Sequence, residues 1–280
     1  MTRAVDEWLR LGEHRDLAGH RIFTVDAPPL QAERAEPLLV LHGFPSSSFD
    51  FRLVLDDLRR SRRVLLLDML GYGLSAKPDA PYALAEQADI VAAFTHGLGV
   101  ERLALLTHDM GDTVGGELLA RQMEGAWDVD VTSRVLSNGS IYIEMAQLSA
   151  GQRLLLGLPD ERMADDQALD ASMVQAGLAA TFSPASSVDD EELVSQWELI
   201  AAADGHRLLP RLIRYIEERR RSERRYTGAI EDHPSPLHIV WGVDDPIAVV
   251  AMTDRLLLAR PDAGMATRHR SAVARPRGPP

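Results

Sequence analysis

Five residues of the 280-residue chain, Thr107-His108-Asp109-Met110-Gly111, have the types and order of a nucleophile turn. They follow the apolar run Leu103–Leu106 and precede a helical stretch with Gly115 and Gly116. A sharp strand-to-helix turn forces its central residue into strained backbone angles, and small neighbours let it close. The helix behind it offers free N–H groups and a positive dipole end, which suit an anion. The central residue is Asp109, so the nucleophile would be a carboxylate. The same residues also fit a plainer role, an aspartate capping the next helix. His42-Gly43-Phe44-Pro45 follows the apolar run Leu38–Leu41. It could present the Phe44 N–H to an oxyanion, with the Met110 N–H as second donor. Taken alone it is a strand-ending turn. Trp241-Gly242-Val243-Asp244-Asp245-Pro246 ends another apolar run. It sets a carboxylate, Asp244 or Asp245, at the sheet edge where α/β proteins bind ligands. Asp68–Ser75 holds a Gly-x-Gly but no third glycine and no Gly-Lys-Ser/Thr, so it reads as a structural turn.

These loops need a sheet to hold them. Strands are expected at His20–Val25, Leu38–Leu41, Arg63–Leu67, Leu103–Thr107, Val131–Leu136 and Leu237–Trp241. Helical patterns lie between them at Phe51–Arg60, Ala83–Leu98, Asp112–Met123 and Val249–Ala259. This alternation predicts an α/β fold with a mostly parallel sheet covered on both faces. From about Ile141 to Tyr226 helical periodicity dominates, broken by Pro159, Pro184 and Pro210, which predicts an inserted helical cap. The run from Arg211 to Arg225 carries seven arginines among Glu217, Glu218 and Glu223. It reads as a solvated helix face, with an anionic ligand site as the alternative. After Asp262 no acidic residue follows, and Arg268, Arg270, Arg275 and Arg277 mix with prolines. That ending is expected to be disordered.

Composition narrows the function. The formal net charge is −12, which opposes binding to nucleic acid. No apolar run approaches the roughly 20 residues of a membrane span, and no signal peptide is visible at the N-terminus. A cytoplasmic location is therefore expected, with no membrane partner. There is no cysteine, and the nine histidines are scattered without His-Glu-x-x-His. Neither a metal nor a cofactor is expected.

Four loops in this order, each after an apolar strand, resemble the α/β-hydrolase fold over roughly residues 20 to 262. His-Gly-Phe-Pro and the aspartate turn look like epoxide hydrolases and haloalkane dehalogenases. The segment Arg214–Ala229 and the turn His108–Asp112 look most like the mesoderm-specific-transcript-type hydrolases and their bacterial relatives. The resemblance implies a core at 1–140 and 227–265, a cap at 141–226 inserted after the sixth strand, and a tail at 266–280. It implies attack by Asp109 on an electrophilic sp3 carbon, an alkyl ester on the enzyme, and hydrolysis of that ester in the Phe44 and Met110 oxyanion hole. The family's Trp-Gly-x-x-Asp-Pro spacing makes Asp245 the acid that orients a histidine, with Asp244 as the alternative.

The implied substrate is a small electrophile, an epoxide or an alkyl halide. An epoxide oxygen needs a proton donor. Tyr215 stands where epoxide hydrolases carry a cap tyrosine, and Tyr142 is a second candidate. Haloalkane dehalogenases usually carry Trp after the nucleophile, and many carry Asn after His-Gly. Fluoroacetate-type enzymes carry Arg after the nucleophile. This chain has Met110 and Phe44 there. The family's base belongs to a Gly-His-x-Pro-type loop beyond the last strand, and the chain lacks that motif. His269 alone follows Asp245, 24 residues on, a spacing that puts it within the last strand. A truncated or out-of-frame ending, with the last strand and helix incomplete, is the expectation. His42 and His108 read as structural. Epoxide hydrolysis is the leading reading. Haloalkane dehalogenation, ester or lactone hydrolysis, and a catalytically impaired ligand-binding homologue are the alternatives.

Overall fold

The computed structural model describes residues 1–32, 35–183 and 188–268. Among these, eight strands form one sheet: β1 (Glu13–Leu17), β2 (His20–Ala27), β3 (Leu38–Leu41), β4 (Val64–Leu67), β5 (Arg102–His108), β6 (Asp130–Ser137), β7 (Leu237–Gly242) and β8 (Gly264–Arg268). Their spatial order is β1-β2-β4-β3-β5-β6-β7-β8. β1 pairs antiparallel to β2, and β2 antiparallel to β4. All later pairings are parallel. Every residue of β3 and β4 is buried, as expected where helices cover both faces.

The helices are α1 (Arg3–Leu11), α2 (Leu55–Leu58), α3 (Leu84–Gly97), α4 (Met110–Met123), α5 (Ala150–Gly157), α6 (Ala171–Ala179), α7 (Asp190–Ala201), α8 (Leu209–Leu212), α9 (Tyr215–Arg221), α10 (Glu223–Asp232) and α11 (Ala251–Ala259). None is long and apolar enough to cross a membrane. The whole segment between β6 and β7 is helical or irregular among the described residues.

Two apolar layers hold the sheet. On one face α1 lays Val5 and Trp8 among Phe23, Val40, Phe49 and Leu199. The other face is the larger core, with Leu39, Leu105, Val114, Leu118 and Trp241. Full burial of each such aliphatic side chain contributes about 1.5–3 kcal/mol. Leu199 belongs to α7, so this inserted helix is seated on the core. Gln196 donates to Asp50 Oδ1 at 2.7 Å, Thr2 N–H donates to Glu198 at 2.6 Å, and Arg52 pairs with Glu192.

Two sequence expectations need correction, and one strand was missed. The helix expected at Phe51–Arg60 is a 3-10 turn, Ser48–Phe51, and the single turn α2. Ser48 is pinned by the buried Asp68, which accepts its N–H at 2.9 Å and the Leu74 N–H at 2.7 Å. Residues 264–268 are not an irregular tail. They form β8, parallel to β7 and in register from His238↔Gly264 to Gly242↔Arg268; this pairing is made by backbone groups, which need no apolar alternation in the sequence. β1 was not expected at all.

Candidate active site

β5 ends at His108, and Asp109 makes the turn at φ 52° and ψ −114°. A non-glycine residue held there costs about 1–3 kcal/mol, which the surroundings must impose. Two glycines let them close. A Cβ on Gly111 would lie 2.5 Å from the Leu41 carbonyl oxygen, and one on Gly43 2.6 Å from Asp109 Cβ. The β3 and β5 turns therefore touch backbone to backbone.

Asp109 sits at the cap position of α4, but its carboxylate caps no N–H of that helix. Instead Oδ2 accepts the Phe44 N–H at 2.8 Å. The Met110 N–H is the first of α4, with no carbonyl four residues back inside the helix. The two expected oxyanion donors thus lie on the two touching turns, Phe44 after β3 and Met110 after β5.

Aromatic rings gather around Phe44. Phe44 lies 5.7 Å from Tyr215 and 6.5 Å from Tyr72, between ring centroids. The Tyr72 hydroxyl donates to Met110 Sδ at 3.2 Å, a weak acceptor. Tyr215 opens α9 and is buried. Burial pushes its phenol above the ordinary value, the charge of Asp109 pushes the same way, and Arg219 opposes both. Tyr142 is engaged elsewhere: its hydroxyl donates to Glu231 at 2.7 Å, and the Arg255 guanidinium covers its ring at 4.0 Å.

Asp245 is the more enclosed of the two adjacent aspartates. Its Oδ1 accepts the Ile247 and Ala248 N–H groups, both at 2.8 Å, and its Oδ2 accepts Asn138 Nδ2 at 2.6 Å. Burial raises its carboxyl above the ordinary value, and these donors hold the rise back. Among the described residues these donors fill three of the four acceptor positions of the carboxylate. Asp244 is exposed and accepts the Ser183 hydroxyl at 3.0 Å. Asn138, at the tip of β6, was not singled out from the sequence. The polar run Ser137-Asn138-Gly139-Ser140 ending an apolar strand was its signal.

The histidines divide. His42 is buried with both nitrogens engaged: Nε2 accepts the Met69 N–H at 2.9 Å, so Nδ1–H donates to Gly43 O at 2.9 Å. Burial lowers its imidazole. His108 Nδ1 bonds to Ser137 O at 3.0 Å. Burial alone would lower His108, but Asp109, Asp50 and Asp112 outweigh it and raise it above the ordinary value. His269 lies outside the described residues.

The arginine run is not a uniform solvated face. Arg211 pairs with Asp79 at 2.9 Å, and Arg225 with Glu117 at 2.5 Å and Glu124 at 2.7 Å. Arg219 turns inward and is buried. Its Nε donates to Thr113 Oγ1 at 2.6 Å, Nη1 to Ser140 O at 2.7 Å, and Nη2 to Asp109 O at 3.5 Å. Tyr215, Ile216 and Arg219 share one buried stripe of α9. That i, i+1, i+4 spacing was the available signal.

The alpha/beta hydrolase fold family matches residues 36–256. LipZ of Mycobacterium tuberculosis is 38% identical over 266 residues, covering 94% of this chain and 89% of LipZ. The mesoderm-specific transcript homolog protein of Bos taurus is 34% identical over 255 residues, covering 88% of this chain and 75% of that protein. The epoxide hydrolase CorEH superimposes with a TM-score of 0.69 at 17% identity, over 91% of this chain and 88% of that one; at that identity the likeness speaks for the fold. A mostly parallel sheet, a strained turn between β5 and α4 and a match over most of the length agree, and the chain belongs to the alpha/beta hydrolase fold family.

Proposed function

We propose that this chain opens epoxides through an ester on Asp109. The observation that carries the reading is the placement of its carboxylate. It stands at the apex of the turn, leaves the helix uncapped, and has one oxygen on the Phe44 N–H. Among the described residues the other oxygen accepts no hydrogen bond and is the one that would attack. A carboxylate is ionised near neutral pH and needs no base to become a nucleophile.

In the first step an Asp109 oxygen bonds to an epoxide carbon and the carbon–oxygen bond breaks. The epoxide oxygen takes the electron pair and the Tyr215 proton. In the second step water attacks Asp109 Cγ. The oxyanion forms against the Phe44 and Met110 N–H groups, where the developing charge is stabilised. Collapse releases a diol and restores the carboxylate. Water needs a base, and His269 with Asp245 as its partner is the candidate pair. His42 has no nitrogen to spare, and His108 is held toward its cationic form, so neither suits the task. Dehalogenation is less well served, because the Met110 and Phe44 side chains bring no N–H or O–H to a departing halide.

Intact-mass analysis after incubation with a panel of epoxides and alkyl halides tests the reading. An adduct mapped to Asp109, or diol formation, is expected, and either should vanish in Asp109→Asn. A persistent adduct locates a defect in the second step. Neither adduct nor product would overturn the reading in favour of a ligand-binding protein. Activity that survives in Asp109→Asn would overturn the assignment of the nucleophile.

A further inference from the structure

A buried cation stands behind Tyr215. Arg219 is 1% exposed, and its described hydrogen bonds all go to uncharged oxygens, those of Thr113, Ser140 and the Asp109 backbone. Burying a guanidinium without direct ion-pair contact is costly. A packing role alone would be met more cheaply by an apolar side chain. Its carbon lies 5.1 Å from the centroid of the Tyr215 ring, one helical turn back on α9. The same side chain ties α9 to β6's loop through Ser140, to α4 through Thr113, and to the nucleophile's own carbonyl.

We propose that Arg219 is the positioning residue for Tyr215 in the first step: it locks α9 onto the nucleophile turn and stabilises the phenolate that Tyr215 becomes. This rests on the epoxide reading above. The charges around the phenol change in a useful order. Before attack the charge of Asp109 resists release of the phenol proton, while Arg219 favours it. Attack converts Asp109 into a neutral ester. The resisting charge disappears as the epoxide oxygen acquires its electron pair, and the favouring charge stays. The phenol proton passes to that oxygen, leaving a phenolate beside the guanidinium. Hydrolysis of the ester by one water then yields the alcohol, the Asp109 carboxylate and one proton, which returns to the phenolate. The sum is epoxide plus water to diol.

The test compares single-turnover alkylation of the full chain by an epoxide and by the alkyl iodide of the same skeleton. Iodide leaves without a proton, so only the epoxide needs Tyr215. In Arg219→Met the epoxide rate should fall about 100-fold, while the iodide rate stays within about threefold of wild type. Arg219→Lys keeps the charge and should recover most of the epoxide rate. Equal losses with both reagents would show that Arg219 only shapes the turn, and no loss with either would show that it does neither; both results overturn the proposal. Should Arg219→Met fail to fold, Arg219→Gln, which removes the charge and keeps hydrogen-bond donors, is compared in the wild-type and Tyr215→Phe backgrounds. Its effect on the epoxide rate should disappear without the phenol, and an undiminished effect overturns the proposal. A wild-type chain inert to both reagents would instead remove the Asp109 reading on which it rests.

Discussion

Asp112→Asn should stabilise the protein at neutral pH and leave it almost unchanged near pH 4. Asp112 is in the first turn of α4 and is 1% exposed. Neither carboxyl oxygen has a hydrogen-bond partner of good geometry among the described residues. Burial pushes its carboxyl from 3.8 up to about 7, and the charge of Asp109 adds to the rise. Thr107, His108 and Arg219 pull the other way without overcoming it. The folded protein therefore keeps a proton that the unfolded chain releases over that window. Where the native state binds more protons, stability falls as pH rises. Stability should be lost between about pH 4 and 7, and the loss is complete above the folded value. At 1.36 kcal/mol per unit this amounts to about 4 kcal/mol.

Asparagine has the shape of the neutral acid and does not ionise. The assay is urea unfolding of both proteins at intervals from pH 4 to 8. Their difference should open from near zero to about 4 kcal/mol in favour of Asp112→Asn, with unchanged dependence on urea. Groups that do not interact with Asp112 cancel in that difference; His108, which the charge of Asp112 helps to raise, does not. Parallel pH profiles would refute the reasoning, because they would mean that Asp112 is ionised in the fold and solvated or paired within it.

The remaining expectations follow from single contacts. Gly43→Ala puts a Cβ 2.6 Å from Asp109 Cβ; overpacking should cost about 1–3 kcal/mol in urea unfolding, and adduct formation on Asp109 should be lost. His233 is lowered to about 4, first by burial and then by Arg134 and Arg260. Its folded value lies below its unfolded one, so stability should fall as pH drops from about 6.5 to 4, and His233→Asn should flatten that limb of the unfolding profile.

What the sequence made legible follows from what burial does to residue choice. β3 and β4 are covered on both faces, so Leu38–Leu41 and Val64–Leu67 could be read as strands from apolar content alone. β1, with the sequence Glu-His-Arg-Asp-Leu, is a sheet edge that buries only Leu17; its pairing rests on backbone bonds, which leave no mark on composition. The expected helix at Phe51–Arg60 failed for a related reason. Its Leu53 is 44% exposed, so the apolar spacing there does not report a buried face. The position of Asp109 was legible because the turn needs small residues at fixed offsets, and Gly111 fills a gap where no side chain fits.

Arg219 was not legible in the same way, and the reason is instructive about charged runs. Seven arginines within fifteen residues look alike in a charge count, since composition says nothing of direction. Direction comes from the helix: α9 buries Tyr215, Ile216 and Arg219 and leaves Arg220 exposed. An arginine one turn from a buried tyrosine, on the same stripe as a buried isoleucine, must either break the stripe or be drawn into it. Three hydrogen bonds from one guanidinium, to α4, to the β6 loop and to the turn that bears Asp109, decide for the second. The inserted segment therefore does more than cover the sheet, because its Arg219 bonds the turn that bears Asp109 and its Tyr215 ring packs 5.7 Å from that of Phe44.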